Sequence, residues 1–247
     1  MRFQKSALRF GADFLKGAFM REETVRTEML LGEASLKRLQ DCHVAVFGLG
    51  GVGSWCAEAL ARTGVGELTI VDDDRFSLSN INRQSGALHS TEGQPKTEVM
   101  ARRLLDIAPG LKLHNVSARY LPEDREQFFA AHYDYIADAI DSVGSKVDLI
   151  ATAMERNVPI ISSMGTGNKL NVSQLTITDL SKTSVCPLAR VMRRELRKRG
   201  IEHLDVVYST ELPITPQVPE GERPVPGSVM WVPATAGLLM AQHIVTR

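Results

Sequence analysis

The sequence has no excess of either charge: 29 lysines and arginines balance 29 aspartates and glutamates. That balance excludes a global field that would draw the chain onto nucleic acid or an anionic membrane, so any polyanion must meet a local patch. Cysteine is scarce. Cys42, Cys56 and Cys186 make no C-x-x-C pair and no even disulfide framework, and no cleavable signal pattern opens the chain; both absences point to a cytoplasmic protein. An unbroken membrane span is missing too. The most apolar run, Gly227 to Val245, contains Pro233, Gln242 and His243, and it reads as a strand followed by a buried helix. Internal repeats and low-complexity tracts are absent.

What is present is an alternation of short apolar strands and amphipathic helices. With 247 residues the chain can bury one sizeable α/β core or two small ones; the pattern predicts one. Residues 1–21 form an N-terminal extension, mixing Arg2, Lys5, Arg9 and Lys16 with phenylalanines, and they read either as a basic amphipathic arm or as sequence before a start at Met20. Apolar spacing predicts a helix over 28–39, weakened by Gly32. "HVAVF", "SWCAEALART" and "ELTIVD" then make a strand, a helix and a strand within about thirty residues, the βαβ unit of a parallel sheet. The alternation continues through "KTEVMARRLLDI", "LKLHNV", "YDYIADAI", "SKVDLIATAMERN" and "VPIISSM". Beyond Gly167, "QLTITDL" alternates like a member of an antiparallel pair, and a basic helix, "LDVVYS" and a proline-rich loop from Pro213 to Pro226 follow. The expected fold is α/β: a Rossmann-like, doubly wound, mostly parallel sheet with antiparallel C-terminal strands. A core is expected over 40–165 and a C-terminal part over 166–247, together one domain from 22 to 247.

Gly48, Gly50, Gly51 and Gly53 lie in "GLGGVG" between a strand and a helix, with Asp72 at the end of the next strand. Glycines let the backbone turn and approach phosphate, the helix N-terminus supplies N–H donors, and the carboxylate suits ribose hydroxyls. The glycines alone do not choose between a dinucleotide and ATP. A pyrophosphate's two charges are met by backbone and helix dipole, whereas a triphosphate carries about four and needs cations. Arg83 in "SNINRQ", Lys96 in "GQPK" and Arg26 are candidates, and Asp141 in "DAIDS" is a candidate Mg²⁺ ligand. Singly, each has a plainer reading: solvated loop charges, a helix-entry residue, and the N-cap of the next helix. As a set at strand ends they favour a nucleoside triphosphate.

"GLGGVGS", "VDDDRFSLSNINRQ", "GQPK" and "DAIDS", in this order and spacing, resemble the adenylating superfamily of ubiquitin-activating enzymes and bacterial sulfur-carrier adenylyltransferases. The resemblance, over roughly 22–180, implies ATP and Mg²⁺ as cofactors and activation of a carboxylate as an acyl adenylate. It assigns the glycines to the phosphate loop, Asp72 to the ribose, Asn80, Arg83 and Lys96 to the phosphates, and Asp141 to magnesium. It makes Arg26 an arginine reaching the triphosphate from the other subunit of a homodimer. "PIISSMGTGNKL" and "KTSVCPLARVMRRELRKRGI" extend the likeness to one branch, the tRNA threonylcarbamoyladenosine dehydratases. That branch implies a tRNA substrate whose threonyl carboxylate is adenylated and then cyclised, and it allows a sulfur-relay protein as a partner.

One local feature bears on the substrate independently. From Pro187 to Arg199, Arg190, Arg193, Arg194 and Arg197 recur at helical spacing on one side, while Leu188, Met192 and Leu196 line another. Such a ridge reads either as a tRNA-phosphate contact or as an ordinary solvated face. Cys186 likewise reads either as a thioester nucleophile or as the residue before Pro187 at a helix start, and Cys42 and Cys56 as packing residues. The rival functions are adenylation of a ubiquitin-like sulfur carrier, and nucleotide binding without turnover. Against the first, the two zinc-binding C-x-x-C pairs of many such enzymes are missing; the dehydratase likeness has its own departure, for where some relatives carry a cysteine-rich insertion there is only "ELPITPQVPEGERPVPGSV".

Overall fold

The computed structural model describes residues 22–217 and 225–247; the expected N-terminal extension lies outside these, as does part of the proline-rich loop. Seven strands form one sheet: β1 (His43–Phe47), β2 (Glu67–Val71), β3 (Lys112–Val116), β4 (Tyr135–Asp138), β5 (Ile160–Ser163), β6 (Leu175–Asp179) and β7 (Asp205–Ser209). Their order is β3-β2-β1-β4-β5-β7-β6, parallel throughout except that β6 runs antiparallel to β7. The order reverses between β1 and β4, the switch point where such sheets open a crevice at their carboxyl ends.

Burial explains the strand sequences. Every residue of β1 is buried, because helices cover both faces. Val44 and Val46 pack into one core with α3 (Gly53–Thr63), α4 (Lys96–Ile107) and α8 (Trp231–Val245). Ala45 and Phe47 point the other way, into a core shared with α5 (Arg125–Phe128), α6 (Val143–Glu155) and α7 (Pro187–Arg197). β3, at one edge, is mostly exposed, which accounts for its polar "KLHNV".

Two expectations need correction. The helix predicted over 28–39 is two helices, α1 (Val25–Leu31) and α2 (Glu33–Asp41), because Gly32 between them adopts φ +80°, left-handed backbone that breaks the hydrogen-bond run. The strand expected after Gly227 does not form: residues 225–229 are irregular and α8 follows directly. Pro233 is accommodated in the first turn of α8, where a backbone N–H has no helical partner to lose. α8 is the buried helix expected there, and among the described residues no helix is long and apolar enough to cross a membrane.

α8 lies directly against α3. A Cβ added at Gly237 would stand 2.3 Å from the Val52 carbonyl oxygen at the end of the glycine turn. Gly237→Ala should therefore destabilise the protein by about 1–3 kcal/mol, the usual cost of overpacking, and weaken nucleotide binding at the displaced turn. Urea unfolding and nucleotide titration of the variant check both expectations.

Candidate nucleotide-binding site

The chain leaves β1 through Gly48, whose φ of +88° and whose closeness to Ala139 exclude a side chain: a Cβ there would lie 2.7 Å from the Ala139 carbonyl oxygen. At Gly53 a Cβ would collide with the Gly48 carbonyl oxygen at 1.8 Å, so only glycine lets α3 start this close to the turn. Gly50 differs. Its missing Cβ would meet only Gln84 Nε2, at 4.0 Å, leaving backbone open to the cleft. No side chain caps α3, so its N-terminus remains available to an anion.

The cleft above this turn holds about 560 Å³ and is lined by Gly48, Gly50, Gly51, Asp72, Asn80, Arg83, Lys96 and Asp141 among others. The structure thus brings together every nucleotide-site residue expected from the sequence except Gly53, which packs beneath, and Arg26. Arg26, on α1, lines a separate groove of about 440 Å³ between α1, α3 and α8, so within this chain it does not reach the cleft.

Asp72 connects the parts. Its Oδ2 accepts the Leu49 N–H at 2.6 Å and its Oδ1 the Asp74 N–H at 2.8 Å. Burial pushes its carboxyl above the ordinary range, against the pull of Lys96 and of those N–H groups. Lys96 opens α4 with its side chain 5% exposed; its Nζ stands 2.8 Å from Asp74 Oδ2 and 3.8 Å from Asp72 Oδ1. Two acids thus hold a buried ammonium at the cleft wall. Asp72, Asp73 and Asp74 bring carboxylate oxygens within 4.8 Å of one another.

The "NINRQ" segment is fastened to α3. Trp55 Nε1 donates to the Arg83 carbonyl at 2.9 Å, and the Ser85 N–H to Ser54 Oγ at 3.2 Å. Asn80 Oδ1 accepts the Ser77 N–H, tightening the turn, and Arg83 Nη1 donates to Ser79 O and Asn82 Oδ1 at 2.8 and 2.9 Å. Gln84, unassigned from the sequence, lines the cleft with its buried Oε1 accepting no bond from the described residues, an acceptor left for a ligand donor.

Asp141 is exposed on the turn after β4. Beneath it lies a pair that sequence reasoning missed: Asp138 and Lys146, both side chains fully buried, 2.9 Å apart. Asp138 also accepts Ser162 Oγ–H at 2.7 Å and the Ile140 N–H at 3.1 Å, and Lys146 donates to the Ile140 carbonyl at 3.0 Å. Ile140 is thus held at both backbone groups, which fixes the residue that precedes Asp141.

Elsewhere, Arg190, Arg193, Arg194 and Arg197 do converge, with Lys198, on a surface hollow. Arg193 is the exception in orientation. It is half-buried and donates to the Thr183 carbonyl at 2.8 Å and to the Thr183 hydroxyl, while Arg190, Arg194 and Arg197 are exposed. The face opposite is Ala189, Met192 and Leu196, with Leu188 only partly covered. The Cys186 side chain is buried in the core as the residue before Pro187, closed to a substrate carboxylate, so the nucleophile reading is withdrawn. Cys56 is likewise buried, and its thiol is pushed up to about 12 by burial.

The ThiF family model matches residues 24–247. The chain belongs to the ThiF family. Among ThiF relatives, it is 41% identical over 233 residues to the tRNA threonylcarbamoyladenosine dehydratase of Bacillus subtilis (strain 168), covering 89% of this chain and 92% of that protein. Its structure matches the crystal structure of E. coli tRNA N6-threonylcarbamoyladenosine dehydratase, TcdA, in complex with ATP, with TM-score 0.84 and 36% identity over 92% of this chain and 93% of that one. Against the same ThiF protein in complex with AMP the TM-score is 0.86, at 35% identity over 93% and 96%.

The buried pair gives the site a testable support. Lys146→Met leaves the Asp138 carboxylate buried without its cation, at an expected cost of about 3–5 kcal/mol; the double variant Asp138→Asn, Lys146→Met should recover much of it. Urea midpoints of the three proteins measure the difference.

Proposed function

We propose that this ThiF protein is an ATP-dependent tRNA threonylcarbamoyladenosine dehydratase. The observation that carries the proposal is a glycine-rich turn facing Arg83 and Lys96 in one cleft, in a chain similar along nearly its whole length to dehydratases of that name. The threonyl carboxylate of the modified adenosine attacks the α-phosphorus of ATP; the bond to the pyrophosphate oxygen breaks, giving an acyl adenylate. The carbamoyl group of the same side chain then attacks the activated carbonyl and loses a proton to solvent, and the bond to AMP breaks. A carboxylate oxygen leaves with AMP, so the nucleoside ends lighter by one water. The nucleophile is already ionised, and no general base is needed for the first step.

In this reading the open backbone at Gly50 and the N-terminus of α3 meet the phosphates, Asp72 and Gln84 meet the nucleoside, and Lys96 and Arg83 stabilise charge on the transferring and leaving groups. The hard oxygens of Asp141 and of the acidic run beside it fit Mg²⁺, which when bound neutralises phosphate charge. Arg26 faces away from its own cleft, so it can serve only across a homodimer. The exposed arginines of α7 take the tRNA backbone, and the compartment is the cytoplasm. Nothing in the site favours a sulfur carrier over tRNA.

Incubation with ATP, Mg²⁺ and tRNA bearing threonylcarbamoyladenosine, followed by nucleoside mass analysis, should show the loss of one water. An unchanged mass would refute the dehydratase reading, and pyrophosphate exchange that depends on a small diglycine-ended protein would establish its rival. Lys96→Ala should slow turnover by about 10²-fold or more, as removal of one preorganised donor does. Reversing Arg190 and Arg197 to glutamate should weaken tRNA binding and reduce the slope of log affinity against log salt by roughly 1–2, with ATP binding unchanged; equal loss of both ligands would remove the ridge from tRNA recognition.

A further inference from the structure

At the end of the sheet opposite the nucleotide cleft, three adjacent strands begin with polar residues on one face. Register pairs His43 of β1 with Glu67 of β2, Glu67 with Lys112 of β3, and Thr69 with His114. The Glu67 carboxylate is the centre of this group. Its Oε1 lies 2.8 Å from His114 Nε2, 3.5 Å from His43 Nδ1 and 2.9 Å from Lys112 Nζ. We infer that His43, Glu67 and His114 form a binding site for a first-row transition-metal dication of the zinc class.

The donor spacing fits such an ion. One ligating atom from each residue falls within 4.8 Å of the others, and tetrahedral ligands on bonds of about 2.0–2.2 Å sit roughly 3.3 Å apart. Small side-chain movements close the difference, and His114 is exposed enough to make them. Two imidazoles with one carboxylate select zinc-like ions over Mg²⁺ and Ca²⁺, which require oxygen. Three protein ligands leave a fourth position for water.

Hydrogen bonding prepares His43 for this role. Thr69 Oγ1 lies 2.8 Å from His43 Nε2, placed to accept its proton when Nδ1 ligates an ion. With the proton on Nε2, Nδ1 is the nitrogen left to ligate, the arrangement that metal-bound histidines obtain from an outer partner. The Lys112 ammonium occupies the cation's place; its side chain is 66% exposed and free to swing out. A bound ion would join β1 and β2 to the edge strand β3, stabilising the folded protein by mass action.

Co²⁺ is the probe, titrated into tag-free, chelator-treated full chain in excess Mg²⁺, which occupies the carboxylates of the nucleotide cleft. The expected result is one equivalent of Co²⁺ with visible absorption bands, displaced by Zn²⁺, and a raised melting temperature. His114→Ala should weaken binding by at least about 10-fold, the loss that follows even from removing an outer partner of a ligand, and Lys112→Met should strengthen it. No visible bands, or Co²⁺ affinity unchanged in both His114→Ala and Glu67→Gln, would overturn the site.

Discussion

The Asp72 carboxylate joins three functions that the chain keeps apart in sequence. One oxygen fixes the Leu49 N–H and with it the glycine turn; the other fixes Asp74, whose own carboxylate holds the Lys96 ammonium at 2.8 Å. Turn, acidic run and buried cation therefore share one rigid reference at the carboxyl end of β2. That arrangement costs the carboxylate part of its hydration, as its raised pKa records, and the cost is offset because a charge-assisted acceptor is worth more where water is scarce. The Asp138 and Lys146 pair performs the same service on the other side of the switch point, under the turn that presents Asp141.

Where a signal was local, it was legible in the sequence. "KTEVMARRLLDI" coincides with α4, "HVAVF" with β1, and the apolar content of both follows from which faces are covered. The fingerprint glycines and "NINRQ" likewise located the cleft, because each motif has a physical purpose that is complete within a few residues. What escaped depends on partners distant in sequence. Lys146 sits in a helix where a lysine ordinarily reads as solvated, and only the fold places it over Asp138 and buries both. Gln84 carries no pattern at all until its neighbours enclose it. The missing strand before α8 shows the opposite error: an apolar run was divided in two, although its first residues bury no continuous face.

The basic helix illustrates how tertiary contacts redistribute roles among identical residues. Periodicity put four arginines on one side, but Arg193 turns in to Thr183 and anchors the helix, leaving Arg190, Arg194 and Arg197 at the surface. The same separation recurs between Arg26 and the cleft: similar chemistry, placed on a different face. Charge in this protein is thus local in both senses, balanced overall and concentrated where strand ends or one helix gather it.

The contact between α8 and the glycine turn ties distant parts of the chain together. Pro233 lies against Gly51, Asn82 donates to the Ser228 carbonyl at 2.9 Å, and Gly237 touches Val52. The cleft formed at "GLGGVG" is therefore walled in part by residues distant from it in sequence. Without α8, the apolar back of α3 would be uncovered and the cleft would lack its Pro233 wall. Local unfolding of α8 would therefore open the glycine turn as well, tying the stability of the cleft to that of one helix.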